Sequence, residues 1–125
     1  MNLGKTKTGM RGIDPRYVRR AALASELLFE NKWRVQILCA IRNEPVRMGQ
    51  LARLIPGASK KMLTENLRKL EAGGIVHRKD FSEIVLHVEY HLEPSIREAV
   101  CALLDQLANW GDLYLSNAKR DREQQ

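Results

Sequence analysis

Two breaker pairs constrain this chain more than any other feature of it. Pro56-Gly57 and Gly73-Gly74 bracket a stretch with room for one helix. Proline and glycine both oppose helix continuation. Between the pairs, Ser59 offers a hydroxyl cap for the first free amides. Leu63, Leu67 and Leu70 then recur at i, i+4 and i+7, the spacing of one buried helical stripe. The pattern predicts a helix from about Ser59 to Glu71. Pro56-Gly57 also closes a shorter upstream helix, about Met48 to Ile55, which is expected to pack through Leu51, Ala52, Leu54 and Ile55.

The flanks read by the same logic. Asp14-Pro15 is a helix start, a capping carboxylate followed by proline in the first turn. A first helix runs to about Glu30, with Val18, Ala22, Leu23 and Leu27 on one face, and Asn31 breaks it. A second runs from about Lys32 to Asn43 through Trp33, Ile37, Ala40 and Ile41, and Glu44-Pro45 ends it. Val46-Arg47 reads as a very short strand. After Gly74, Ile75 to Phe81 reads as a strand and Ser82-Glu83 as a turn. From Ile84 to Glu93 apolar and mostly polar residues alternate without interruption, which predicts a half-buried antiparallel strand. Pro94 and the box Ser95-x-x-Glu98 open a last helix to about Asn117. Its seam of Ile96, Val100, Leu103, Leu107, Trp110 and Tyr114 is long for one small core to cover. It is either a dimer surface or a stripe packed on the first helix, and the apolar faces of both terminal helices favour the dimer. The expected dimer residues are Leu23, Leu27, Val100, Leu103, Leu107, Trp110 and Tyr114.

The chain has 125 residues, a single domain by size. Aromatics are only 6%, so the core must be built from Leu, Ile, Val and Ala. The expected organisation is a flexible basic arm over residues 1–13, a folded domain over 14–117 and a polar tail over 118–125. Charge is uneven. Residues 1–20 hold Lys5, Lys7, Arg11, Arg16, Arg19 and Arg20 against Asp14 alone, a net +5 of the chain's +6. That arm either holds nucleic acid without reading it or merely solubilises the chain. Cys39 and Cys101 sit in apolar helical patterns, without a CxxC pair or a secretory signal, so a reduced cytoplasmic location is expected. No apolar run reaches the length of a membrane span.

The predicted order is helix, helix, short helix, tight turn, helix, hairpin, helix. The expected fold is thus mainly α with a small β-hairpin: a winged helix-turn-helix. Its three-helical DNA-binding core and wing would be flanked by N- and C-terminal dimerisation helices. In this motif the second helix enters the major groove of double-stranded DNA. The face opposite Leu63, Leu67 and Leu70 suits that role. Lys60, Lys61 and Arg68 can neutralise phosphates or donate to guanine, and Thr64 is short enough to meet a base edge. Ser59 and Glu65 complete the expected face. Arg78, Lys79 and His87 belong to the wing and are expected to reach the DNA backbone or minor groove. A winged helix can instead be a protein-protein interaction module without specific DNA binding. The basic residues of the Ser59–Arg68 segment favour DNA.

From about Lys32 to Tyr114 the sequence resembles the HxlR-type winged helix-turn-helix transcription regulators. The resemblance rests on Lys32-Trp33 with Ile37-Leu38, Met48-Gly49-Gln50-Leu51 before Ile55-Pro56-Gly57, and Ser59-Lys60-Lys61-Met62-Leu63-Thr64 with Leu67-Arg68-Lys69-Leu70-Glu71. Gly74-Ile75-Val76 with Arg78, Val88-Glu89-Tyr90 and Trp110-Gly111 continue it. It implies a homodimer acting on a two-fold operator. The departures are specific. Many relatives carry a cysteine about twelve residues before the Lys-Trp pair, and some sense oxidants with it. Here the neighbourhood is Arg19-Arg20-Ala21. Val85-Leu86 stands where the family's wing often has a proline pair, which implies a more regular hairpin. Leu92-Glu93-Pro94 replaces the usual Leu-Thr approach to the last helix, and the basic arm replaces a short one.

Other chemistries lack a constellation. There is no nucleophile-base pair at useful spacing and no phosphate-binding glycine loop, so no enzyme is expected. His87 and His91 share a strand face but lie about 13 Å apart, too far to chelate one metal. No metal or cofactor is expected. A small-molecule effector pocket between the first and last helices has no sequence signature and stays open.

Overall fold

The computed structural model describes residues 12–124. The arm expected over residues 1–13 lies outside them, apart from its last two residues. Four helices come first: α1 (Pro15–Phe29), α2 (Lys32–Ile41), α3 (Met48–Leu54) and α4 (Lys60–Ala72). Strands β1 (Val76–Asp80) and β2 (Val88–Leu92) pair antiparallel, from Val76 opposite Leu92 to Asp80 opposite Val88. A 3-10 turn, Pro94–Ile96, leads into α5 (Arg97–Glu123). This is the winged helix-turn-helix that the punctuation predicts.

The helix boundaries have local causes. The Asp14 carboxylate accepts from the Arg16 amide, the Asn31 side chain from Trp33, and the Ser59 hydroxyl from Met62. At the end of α4 the two glycines do different jobs. Gly74 takes a left-handed φ of 77°, which side chains rarely allow. A Cβ on Gly73 would lie 2.7 Å from Leu27 Cδ1, so its missing side chain lets α1 approach α4.

The core forms where these elements meet. Ile37, Leu38 and Ile41 of α2 pack with Leu51, Leu63, Leu67 and Leu70, and Val76, Leu92, Val100 and Leu104 close the cluster. The hairpin is tied to the helices through Val46, which exchanges two backbone hydrogen bonds with Tyr90 at 2.9 and 2.8 Å. The short strand expected at Val46-Arg47 is thus a one-residue bridge. A polar hub lies beside the apolar core. The buried Arg34 donates from Nε to Asn66 Oδ1 at 2.9 Å and from Nη1 to the Leu27 carbonyl at 2.7 Å. Asn31 also donates to Asn66 Oδ1, and Asn66 donates to the Met62 carbonyl. The sequence pattern does not reveal this hub, because a charged residue inside an apolar stripe has no periodicity of its own.

Several expectations are corrected. The second strand begins at Val88, not Ile84. The ladder closes at Asp80 opposite Val88, one further hydrogen bond joins the Phe81 amide to the His87 carbonyl, and residues 84–86 lie outside the strands. Alternation describes a strand's two faces but supplies no neighbour. The Ser95–Glu98 box does not form: the 3-10 turn intervenes, and no side chain caps α5. α5 continues to Glu123, so most of the expected polar tail is helix. No proline or glycine stops it, and Arg120 and Arg122 in its last turn suit the negative end of the dipole. In α3, Leu51 and the flanking Ile55 are buried while Ala52 and Leu54 are exposed. In α1, burial falls on Leu28, and Val18, Ala22 and Leu23 are exposed.

Candidate nucleic-acid interface

With Leu63, Asn66, Leu67 and Leu70 turned inward, α4 presents Lys60, Thr64, Arg68 and Glu71 along its wing-facing side. These residues line one side of a groove. Arg78, Val88 and Tyr90 of the hairpin line the other, with Leu86 from the wing loop. Arg47, Met48 and Gly49, at the start of α3, line one end. The groove consists of two adjoining hollows of about 430 and 330 Å³, both touching Thr64, Arg78 and Tyr90. Its charged lining is Arg47, Lys60, Arg68 and Arg78 against Glu71. A cationic groove beside an exposed helix with a short hydroxyl at mid-length is suited to phosphates at its edges and base edges at its centre.

A sequence profile of the HxlR-like helix-turn-helix family matches residues 28–119. The chain belongs to this family. An HTH-type transcriptional regulator of Methanothermobacter thermautotrophicus is 34% identical over 92 residues, covering 74% of this chain and 70% of the relative. Among solved structures, a MarR-family transcriptional regulator from Enterococcus faecalis V583 aligns with a TM-score of 0.71 and 28% identity. That alignment covers 90% of this chain and 99% of the other. The redox regulator HypR in its reduced form aligns with a TM-score of 0.73 and 25% identity, covering 81% and 98% of the two chains. Membership makes this chain a DNA-binding transcription regulator.

The expected site residues of this HxlR-like chain divide into groups. Lys60, Thr64, Arg68 and Arg78 come together in the groove. Lys61 and Glu65 are exposed on α4 outside it. The Ser59 hydroxyl is engaged as the cap of α4 at 3.1 Å from the Met62 amide. Arg78 stands mid-strand in the wing opposite Tyr90, 3.7 Å from Asp80. Hydrogen bonds from Ser82 hold the Asp80 carboxyl below its ordinary range, with a smaller contribution from Arg78. Lys79 Nζ sits 5.1 Å over the Phe81 ring. His87 Nε2 is 2.6 Å from Glu89, and its ring meets the edge of Phe81. Arg47 joins the site without having been expected there. Its amide donates to Gln50 at the start of α3, and its guanidinium donates to the Leu86 carbonyl at 3.4 Å. A lone cation after Pro45-Val46 gives no periodic signal, and only folding brings the wing to it.

Thr64 and Arg78 should separate reading from gripping. Thr64→Ala is expected to shift base preference at the centre of a half-site with the salt slope unchanged. Arg78→Ala is expected to flatten the slope of log K against log salt by about one unit for each phosphate that Arg78 neutralises. Duplex titrations across a salt series, with wild-type and altered half-sites, check both.

The cysteines of this HxlR-like chain differ from expectation in one respect. Cys39 is exposed rather than buried in its helix, and Cys101 is half-buried. Nearby apolar surface pushes the Cys39 thiol up from its ordinary value, against a smaller opposing effect of Arg42. A thiol raised in this way is a weaker nucleophile at neutral pH. Among the described residues, no helix is long and apolar enough to cross a membrane.

Proposed function

We propose that the protein is a sequence-specific regulator that binds a two-fold operator in double-stranded DNA as a homodimer. The observation that carries this reading is the groove in which Lys60, Thr64 and Arg68 of α4 face Arg47 and Arg78. Two α4 helices would enter successive major grooves about 34 Å apart. The expected test is enrichment of sites from a random duplex pool by the wild-type protein but not by the Lys60→Glu/Arg68→Glu variant. No enrichment by the wild type would favour a protein-interaction module.

The dimer surface is assigned to the outer half of α5 together with α1. Trp110 is 67% exposed and stacks on Tyr114 at 5.7 Å, with Leu113 and Leu115 also exposed. Tyr17, Val18 and Leu23 leave apolar surface on α1. Such surface on helices of a small protein marks an association site. Val100 drops out of the expected interface because it is buried in the chain's own core, and Leu27, Leu103 and Leu107 are partly covered there. Trp110→Asp is expected to convert a dimer into a folded monomer in sedimentation equilibrium, with helical circular dichroism retained. A Trp110→Asp protein that stays dimeric would remove α5 from the interface.

A further inference from the structure

The wing tip exposes apolar surface that runs beyond the groove. Between β1 and β2 the loop presents Ile84, Val85 and Leu86 with 96%, 73% and 77% of their surface open. Three adjacent large apolar side chains in water are costly on a loop that could carry polar residues instead. The loop backbone is tied in place beneath them. The Phe81 amide donates to the His87 carbonyl at 2.7 Å, and the His87 amide donates to the Ser82 hydroxyl at 2.8 Å. The Ser82 amide donates to Asp80 Oδ1 at 2.8 Å, and the Glu83 amide to the Phe81 carbonyl at 2.8 Å. Arg47 holds the Leu86 carbonyl from the helical side. The chain turns under the three side chains and keeps them outward.

The position of this tip argues for its partner. It continues the cationic groove, since Leu86 lines the same hollow as Arg47, Lys60, Thr64 and Arg78. Lys79 lies over Phe81 at the base of the loop. Glu83 is the one carboxylate within residues 81–87, and at the base of the loop Asp80 is held by Ser82 and Arg78 and Glu89 by His87. Apolar side chains rimmed by cations match a DNA minor groove, where phosphates flank a floor of bases and apolar wedges part the stack.

We propose that Ile84, Val85 and Leu86 form an apolar wedge that enters the minor groove flanking each half-site and partly unstacks a base step there. This rests on the operator-binding reading above. It adds a specificity that needs no hydrogen bond to a base. Pyrimidine–purine steps unstack most easily, so a TA or CA step under the tip should bind better than an AA step. Because Ile84 and Val85 are exposed, replacing these two with serine should leave the fold intact.

The test uses the full chain and duplexes obtained from site enrichment. Each duplex carries TA or AA at the flanking step, with 2-aminopurine as the reporter at that step. The wild-type protein is expected to prefer TA by about ten-fold and to raise the 2-aminopurine fluorescence on binding. Ile84→Ser/Val85→Ser, which spares Leu86 and its place in the groove, is expected to lose both effects while keeping its preference for the central half-site. Binding by the wild type with neither step preference nor fluorescence change would overturn the wedge and leave the α4 reading standing. The wedge would also be overturned if the double variant kept the full TA preference and fluorescence rise. Absence of any site enrichment would overturn both readings together. A DNA-free change of oligomeric state in the double variant, with the step preference retained, would assign the tip to a protein contact instead.

Discussion

Arg34→Ala is expected to lower the unfolding free energy by about 3 kcal/mol, seen as a fall of about 15 °C in Tm. Arg34 is 4% exposed and joins three helices. Its guanidinium reaches the Glu26 and Leu27 carbonyls at the end of α1 and Asn66 Oδ1 on α4, and lies 2.9 Å from Glu30. A cation at a helix C-terminus satisfies carbonyls that have no partner within the helix. Truncation leaves those groups short of partners and opens a void beside Asn66. The ion pair itself is a minor part, because the Glu30 side chain is 63% exposed. Glu30→Gln should therefore cost less than about 1 kcal/mol. Thermal unfolding of both variants checks the contrast. Equal destabilisation by the two would place the effect in the ion pair and contradict the account of the hub. The same experiment bears on function, since the hub fixes α4 against α1 and α2.

The second large effect is on DNA. Lys60→Glu/Arg68→Glu is expected to reduce operator affinity by about a thousand-fold, to the level of non-specific binding. Lys60 and Arg68 lie two helical turns apart on the wing-facing side of α4, with Thr64 between them. Each reversal removes a phosphate partner and adds repulsion, and the proposed dimer doubles the change. Both side chains are outside the core, so the thermal midpoint should hardly move. Fluorescence anisotropy at fixed salt, beside an unfolding curve, separates the two quantities. A variant that retains operator affinity would show that α4 does not carry recognition.

How much of this is legible in the sequence varies by element. α4 is legible nearly to the residue, because its cap, leucine stripe and terminating glycines are local signals that agree with one another. Lys60, Thr64 and Arg68 follow as the face left over. The end of α5 lies beyond the expected one, since its seam turns polar before its helix stops. The hairpin is legible in its place but not in its extent. Ile84 and Leu86 fit the same alternation as Val88 and Tyr90, and only the latter pair lies in the strand. Whether an alternating residue is paired depends on where the partner strand ends, which its own neighbours do not encode. Arg47 and the Arg34–Asn66 hub are invisible for a related reason. Their partners are 39 and 32 residues away.

The breaker pairs by themselves determined where the chain reverses and therefore its order of elements. They act through backbone conformation, which is a property of each residue and its immediate neighbours. Tertiary structure alone decided that Gly73 lies against Leu27 of α1, and which cations share a groove. It also decided that three apolar residues of an apparent strand stand in water at the wing tip. Those outcomes depend on contacts between distant segments, and packing sets them only once the whole chain is folded.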